Sequence, residues 1–428
     1  MESLTRNNYY EKSAFLLLAV AVATLPFTRF LMLPIALLML VLFVTSNFFQ
    51  PQFKTLTNNH LLPSFCITLS IFLLSLIGTA YSTNMGKAIS DWECKLWFLA
   101  APLCILPLYG KMSLERIKIL LIVFCLSVTA TAIGNFVIST AKFAQSGDTS
   151  QFFYIHATHF IGNKPTHPSY LSMYCALAWV ISVIMLAEKK VHSRPVRWAL
   201  ATSLPVLPAE IFVLQSKAGI LVFAAVFVGT AIHIMRKREI PLWAGLLLLA
   251  CCIVAGGLGT SGKMPLTNRL SDMRQLEHAG ELTNPYNGTL QRIAVWRTSC
   301  ELAADNLPFG TGTGDLTDEL CKRYETKGYT YILDKRLNCH NQYLQHLAGL
   351  GIPGILALLL FIGLPLWEAI KQKDFLQGVG FLIFAGNLLV ESMLETRAGS
   401  NFIPLMTMLL LLHGRARQSA EEPRQNSQ

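Results

Sequence analysis

Long apolar runs separated by short polar connections dominate the pattern of this sequence. The runs do not alternate apolar and polar residues as barrel strands do. Because a bilayer offers the backbone no hydrogen-bond partners, such segments have to be helices. The pattern therefore predicts an all-α polytopic membrane protein. We expect about twelve membrane-spanning helices, near residues 13–27, 30–44, 62–81, 96–109, 117–138, 170–186, 198–214, 219–235, 241–257, 342–367, 375–393 and 402–412.

The longest polar stretch lies between the ninth and tenth predicted spans. Within it, Leu290, Ile293, Ala294 and Trp296 have helical spacing, which predicts a short amphipathic helix that lies on the membrane or caps a cavity. We divide the chain into spans 1–9 (residues 1–258), a periplasmic loop domain (259–341), spans 10–12 (342–414) and a cytoplasmic tail (415–428).

Composition supports the bilayer as solvent and removes one function class. The chain is 53% hydrophobic and only 14% charged, which is typical of membrane proteins. The net charge of +10 could indicate nucleic-acid binding, but no basic groove with interleaved aromatic residues accompanies it. Basic clusters instead recur at every second connection, as the positive-inside rule requires for an N-terminus in the cytoplasm. These clusters are Lys111/Arg116/Lys118, Lys189/Lys190/Arg194/Arg197, Arg236/Lys237/Arg238, Lys371/Lys373 and Arg415/Arg417.

The cysteines do not predict a disulfide framework, because most of the ten lie in apolar segments. Cys300, Cys321 and Cys339 share the long polar loop, where an oxidising periplasm would permit one disulfide. The sequence does not indicate which two of them would pair.

His340 is the leading candidate for chemistry, because it lies where the polar loop meets the tenth predicted span. Asn338 is suited to cap that helix, which would place His340 in its first turn. The helix dipole there disfavours imidazolium, so a neutral ring could accept a proton from a hydroxyl group. The alternative is an interfacial histidine that hydrogen-bonds to the loop backbone. His346 faces another side of the helix, so no metal site is predicted.

Two cations are candidates for binding phosphate. The planar guanidinium of Arg292 suits phosphate oxygens, although an interfacial arginine that snorkels to water would look the same in sequence. Lys217 lies in a short turn on the outer side, where positive charge is disfavoured. It either binds a specific anion or reaches lipid headgroups. Arg297 points elsewhere on the predicted helix, and we expect it to be structural.

Further polar residues accompany these candidates at the outer ends of predicted spans. His167 precedes Pro168 at the start of the sixth span and either touches substrate or caps the helix. Tyr170 follows within the first turn. Asn341 and Gln342 directly follow His340, and we include them with Tyr170 as candidate substrate-binding residues.

The outer end of the eleventh span carries three charged residues. We expect Glu391, Glu395 and Arg397 to pair with one another or with Lys217, and Arg397 is also a candidate substrate-binding residue. The glycine-rich segment 309–315 looks like a phosphate cradle, but no strand–helix unit or Lys-Ser/Thr follows it. We therefore predict a tight loop near the active cavity rather than a nucleotide site.

Taken in chain order, these motifs resemble the O-antigen ligase and O-antigen polymerase superfamily of bacterial envelope glycosyltransferases. The resemblance rests on Ser216-Lys217-Ala218-Gly219, Arg292 with Trp296, Leu307-Pro308-Phe309-Gly310-Thr311-Gly312, His340-Asn341-Gln342-Tyr343-Leu344 and Gly351-Ile352-Pro353-Gly354.

The resemblance implies a GT-C-like fold with a large periplasmic loop containing short amphipathic helices. It also implies an enzyme of the bacterial inner membrane, active at the periplasmic face without a metal or cofactor. The donor would be a glycan on undecaprenyl diphosphate, and the acceptor lipid A–core oligosaccharide or another glycan. The histidine of the family maps onto His340 and its loop arginine onto Arg292. Lys217 stands where ligases commonly have an arginine.

The leading hypothesis is therefore an O-antigen ligase with His340 as general base and with Arg292 and Lys217 on the diphosphate. An O-antigen polymerase and a protein O-oligosaccharyltransferase are the enzyme alternatives. A lipid-linked glycan transporter is the alternative from another class. Transport would require charged residues through the middle of the membrane, and the ionisable candidates cluster outside it, which favours an enzyme.

Overall fold

The computed structural model describes residues 2–27, 30–47, 62–109, 111–153, 167–188, 191–237 and 288–425. Over these ranges the chain is all-helical and contains no strand. The α-helices in this part of the chain are α1 Glu2–Thr24, α2 Met32–Asn47, α3 Leu62–Thr79, α4 Met85–Ile105, α5 Leu114–Ser146, α6 Pro168–Ala187, α7 Arg194–Val213, α8 Lys217–Arg236, α9 Gly288–Asp305, α10 Leu316–Thr326, α11 Thr330–Asp334, α12 Gln342–Lys371, α13 Phe375–Leu388 and α14 Arg397–Gln425.

The predicted all-α polytopic membrane protein is confirmed. Six helices of the described ranges are long and apolar enough to cross a membrane, namely α3, α5, α6, α7, α8 and α12. Met32–Thr45 within α2 and the whole of α13 form shorter apolar helices. The predicted ninth span, 241–257, and residues 259–287 of the predicted loop domain lie outside the described residues. The division into four domains stays a prediction.

Several helices extend well beyond the spans predicted from hydropathy. Helix α4 begins at Met85, well before the predicted residue 96, because Asn84 caps it and two of its charged residues are buried as a pair. Lys95 Nζ lies 2.8 Å from Asp91 Oδ2, and both side chains are about 5% exposed. Pairing lowers the cost of burying each charge, which a hydropathy pattern does not register. Helix α14 continues to Gln425, through most of the predicted tail.

Helix α6 is the centre of the bundle. Its apolar window is 83% buried inside the protein, whereas those of α7 and α8 are only 28% and 33% buried. Helix α6 packs against α5, α7, α8 and α13. Within the described residues, α7 and α8 therefore lie at the periphery of the bundle.

A second hydrophobic cluster joins α9, α10 and α11 to the start of α12. Leu290 and Val295 of α9 pack there with Leu320 and Tyr324 of α10 and Ile332 of α11. The predicted amphipathic helix is therefore real. It packs against α12, as a helix that caps a cavity would.

The glycine-rich loop braces a kink in α12. Gly351 has a φ of 66°, so the helix breaks there, and the Pro308 carbonyl accepts the N–H of Ile352 at 2.8 Å. A β-carbon on Gly351 would lie 1.9 Å from that carbonyl oxygen, so the contact requires glycine. Thr311 N–H donates to the Ala348 carbonyl at 2.9 Å. The loop is a tight structural contact, as predicted.

Lys237, Lys373 and Arg417, from three of the basic clusters, lie at one end of the bundle. At the C-terminal ends of α8 and α6, Lys237 Nζ lies 2.9 Å from Glu188 Oε1. The ring of His233 stacks on Phe375, at the start of α13, with centroids 3.9 Å apart. The N-termini of α6 and α8 consequently lie at the opposite end.

Candidate active site

A polar cavity of about 290 Å³ lies at the end of the bundle opposite the basic clusters. Its walls come from the N-termini of α6 and α8, from α9 and α11, and from the segments before α12 and after α13. The functional groups on these walls are His167, Lys217, Arg292, His340 and Glu391. The cavity thus combines two cations, one carboxylate and two imidazoles.

Two capped helix N-termini, those of α6 and α8, line this cavity, and the capped N-terminus of α12 directly follows His340. His167 Nδ1 accepts the N–H of Ser169 at the start of α6, at 3.4 Å. Ser216 Oγ accepts the N–H of Gly219 in α8, at 3.2 Å. Asn341 Oδ1 caps α12, directly after His340. Helix N-termini carry partial positive charge, so their convergence adds to the attraction of Lys217 for an anion.

His340 lies just before α12 rather than in its first turn, so the predicted cap was wrong. Asn341, not Asn338, caps the helix, and His340 has a φ of 44°. Asn338 Oδ1 instead accepts the backbone N–H of His340 at 3.0 Å. The indole N–H of Trp296 donates to the His340 carbonyl at 3.3 Å. These two contacts fix the backbone that presents the imidazole to the cavity.

Glu391 contacts both His340 and Arg292. Its Oε1 lies 2.8 Å from Nδ1 of His340, and its Oε2 lies 3.6 Å from Nη2 of Arg292. A carboxylate on Nδ1 favours the tautomer whose lone pair is on Nε2. The side chain of Glu391 is 8% exposed, that of His340 24% and that of Arg292 36%. The imidazole and the guanidinium are therefore the groups open to a ligand.

The charges in this cluster act on each other. Burial by itself would raise the pKa of Glu391, but the hydrogen bond and charge of His340, with His167 and Arg292, hold that pKa below its usual value. Burial is the largest cause that lowers the pKa of His167; Glu391 opposes this shift, whereas His340 and Arg292 add to it. At neutral pH, Glu391 is therefore ionised and His167 is neutral.

The loop that carries Glu391 is tied to the start of α12 by two hydrogen bonds. Ser392 Oγ accepts the N–H of Asn341 at 3.2 Å, and Gln342 Oε1 accepts the N–H of Leu394 at 2.6 Å. The amide nitrogen of Gln342 also lies 3.2 Å from Glu395 Oε1. Because Gln342 is fully buried, its contacts position the loop beside His340.

The structure brings four of the predicted site residues to the cavity, namely His340, Arg292, Lys217 and His167. The other four do not line it. Asn341 caps α12, and Gln342 is buried and positions the loop that carries Glu391. Tyr170 is buried in the first turn of α6, with its ring against that of His167. Arg397 Nη2 lies 2.9 Å from Glu93 Oε2. A substrate-binding role for these four stays a prediction.

Glu391, Glu395 and Arg397 pair with residues other than one another, and the alternative pairing with Lys217 stays a prediction. Glu391 pairs with His340 and Arg292, Glu395 lies 3.4 Å from Lys95 Nζ, and Arg397 pairs with Glu93. These partners come from α4, α9 and the segment before α12, so no local spacing reveals them. The contact between Glu391 and His340 is the main feature that sequence reasoning missed. Tyr331 and Gln291, which also line the cavity, carry no sequence signal.

Two further predictions concern the three cysteines of the polar loop and metal binding. Cys300, Cys321 and Cys339 are free thiols in the structure. Within the described residues, no group of three or more His, Cys, Asp or Glu side chains is placed to hold a metal ion. The absence of a metal or cofactor from the reaction stays a prediction.

Fold and cavity together define a polytopic helical membrane protein with a cation-bearing polar site at one end of its bundle. Residues 201–359 match the family model described as O-antigen ligase. This part of the chain is therefore similar to O-antigen ligases, and the resemblance to the ligase and polymerase superfamily is confirmed over that range. The range includes Lys217, Arg292 and His340, whereas Glu391 lies beyond it. No curated protein matches the chain.

Proposed function

We propose that the protein is an O-antigen ligase that transfers a glycan from undecaprenyl diphosphate to lipid A–core oligosaccharide. The observation that carries this proposal is the meeting of two cations and the N-termini of α6 and α8 with an imidazole in one cavity. Cations and N-termini suit a diphosphate. An imidazole suits the removal of a proton from a hydroxyl group.

Arg292 and Lys217 bind the diphosphate in this proposal. The bond from the sugar to the diphosphate breaks with its electron pair on the phosphate oxygen, so negative charge develops on the leaving group. Fixed cations stabilise that charge better in a sheltered cavity than in water. Lysine supplies a point charge rather than a planar fork, so Arg292 provides the bidentate contact.

His340 is the general base. With its Nδ1 against Glu391, its Nε2 has the lone pair that accepts the proton of the acceptor hydroxyl. The acceptor oxygen then attacks the anomeric carbon as the diphosphate leaves. Direct displacement inverts the anomeric centre, and the two cations allow it to proceed without a metal.

The site faces the periplasm of a bacterial inner membrane in this proposal. Basic clusters stay in the cytoplasm during insertion. The cavity lies at the end of the bundle away from Lys237 and Phe375, where the helix ends carry those clusters. Cysteine-labelling of Cys300, an exposed residue, in intact cells tests the orientation, since an impermeant reagent reaches it only from the periplasm.

The test of function is transfer by the purified protein. Carrier-linked O-antigen and lipid A–core are supplied in detergent, and the expected product is glycan on lipid A–core. Elongated carrier-linked glycan would indicate a polymerase, and glycan on a protein acceptor an O-oligosaccharyltransferase. In cells, loss of a ligase leaves core alone while carrier-linked polymer accumulates, whereas loss of a polymerase leaves core with one repeat. An unchanged lipopolysaccharide ladder after gene disruption would contradict both.

A further inference from the structure

The two carboxylate oxygens of Glu391 contact two groups with different proposed roles, His340 and Arg292. Oε1 lies 2.8 Å from Nδ1 of His340, which is hydrogen-bonding distance. Oε2 lies 3.6 Å from Nη2 of Arg292, which is too long for a hydrogen bond and leaves a charge contact. The carboxylate therefore holds the imidazole firmly and the guanidinium loosely.

The exposed fractions of the Arg292 and Glu391 side chains also differ. Arg292 is 36% exposed, whereas Glu391 is 8% exposed. Arg292 can leave Glu391 for another anion, because its contact is long and Glu391 keeps its hydrogen bond to His340. Glu391 cannot follow it, because the neighbouring Ser392 and Leu394 are hydrogen-bonded to Asn341 and Gln342.

We infer that Glu391 is a positioning residue that orients His340 and competes with the donor diphosphate for Arg292. The inference rests on the proposed function. In the structure Glu391 contacts both groups. When the diphosphate binds Arg292, the carboxylate keeps only His340 as its partner.

The contact of Glu391 with His340 assists the transfer reaction. The acceptor hydroxyl loses its proton to Nε2 of His340 as its oxygen bonds to the anomeric carbon, and the diphosphate departs with the electron pair of the broken bond. The imidazolium that forms lies against the ionised Glu391, which stabilises it. A carboxylate released from Arg292 is fully available for that task.

The inference makes an unusual kinetic prediction for Glu391→Gln. The neutral amide neither repels the diphosphate nor holds Arg292, so the donor should bind more tightly. The same amide cannot stabilise the imidazolium, so turnover should slow. A merely structural defect would weaken donor binding and slow turnover together.

The test compares full-length wild-type protein with Glu391→Gln and Glu391→Asp. Equilibrium binding of undecaprenyl diphosphate and kcat with carrier-linked glycan are measured separately. For Glu391→Gln we expect Kd to fall about two- to fivefold and kcat to fall at least about tenfold. Glu391→Asp keeps the charge, so Kd should stay at the wild-type value while kcat is partly recovered. Glu301→Gln, an exposed carboxylate of α9 that pairs with Arg297, is the matched control and should change neither.

Arg292→Ala identifies the competing group. In the Arg292→Ala protein, Glu391→Gln can only remove the repulsion between the carboxylate and the diphosphate. The fall in Kd should therefore be smaller than in the wild-type background. A Kd that rises or stays constant in Glu391→Gln would overturn the competition, and an unchanged kcat would overturn the positioning of His340. If the wild-type protein makes no product, the proposed function fails, whereas the binding measurements still decide the competition for Arg292.

Discussion

Nδ1 of His340 lies 2.8 Å from Oε1 of Glu391, although the two residues are 51 positions apart in the sequence. The contact commits one ring nitrogen to the protein and leaves the other to the cavity. It gives His340 the arrangement of a general base whose orientation is set by a carboxylate. The interfacial histidine weighed as the alternative would bond to backbone instead.

His340→Ala should abolish transfer while donor binding persists. Removal of a general base costs about 10²- to 10⁴-fold in turnover, and the diphosphate contacts of Arg292 and Lys217 do not depend on the imidazole. Single-turnover transfer and equilibrium binding of the carrier lipid separate these two quantities. Transfer at the wild-type rate by the purified variant would remove His340 from the role of base.

Arg292→Ala should weaken productive engagement of the donor. Loss of a charge that stabilises the leaving group costs about 2–4 kcal/mol in barrier, so kcat/KM should fall by roughly 30-fold or more. The control is Arg297→Ala on the same helix, because Arg297 is 78% exposed and pairs with Glu301. Equal effects of the two substitutions would mean that the helix as a whole, not the Arg292 guanidinium, matters.

Sequence reasoning succeeded where the signal was local and failed where it was not. Hydropathy located the helices, and helical spacing located α9, because both depend on neighbouring residues. The predicted start of α4 was too late because of the buried pair of Asp91 and Lys95. A hydropathy average counts charged residues as polar even when they are paired. The partner of His340 could not be predicted, because Glu391 is brought to it by the packing of α13 and α12.

Gln342→Leu should destabilise the loop that carries Glu391. The side chain is fully buried, and its Oε1 accepts the N–H of Leu394. Leucine would leave that N–H without its partner, at about 1–3 kcal/mol for a buried group, and would remove one of the contacts of Glu395 Oε1, which keeps Lys95. Thermal unfolding in detergent should show a lower Tm, and kcat should fall because Glu391 is displaced. Gln151→Leu, in the connection after α5, is the surface control. An unchanged Tm would show that the hydrogen bonds of Gln342 do not stabilise the loop.

Lys95→Met should be among the more damaging single substitutions. Lys95 Nζ lies 2.8 Å from Asp91 Oδ2 and 3.4 Å from Glu395 Oε1, and all three groups are largely buried. Removal of one partner from a buried ion cluster costs about 3–5 kcal/mol, because charges are left uncompensated. The double variant with Asp91→Asn should recover part of that loss, measured as Tm in the same detergent. A double variant less stable than Lys95→Met would contradict the charge argument.

The contribution of Glu391 to stability should disappear in acid. Its pKa is held below the usual value in the folded protein, so the ionised carboxylate stabilises the fold at pH values above its unfolded pKa of about 4.3. That stabilisation is lost as the pH falls through the lower, folded pKa. The difference in Tm between wild-type protein and Glu391→Gln should therefore be present at about pH 5 and shrink towards about pH 3. A constant difference would mean that the substitution acts through packing, because the other carboxyl groups are present in both proteins and only the charge of Glu391 differs between them.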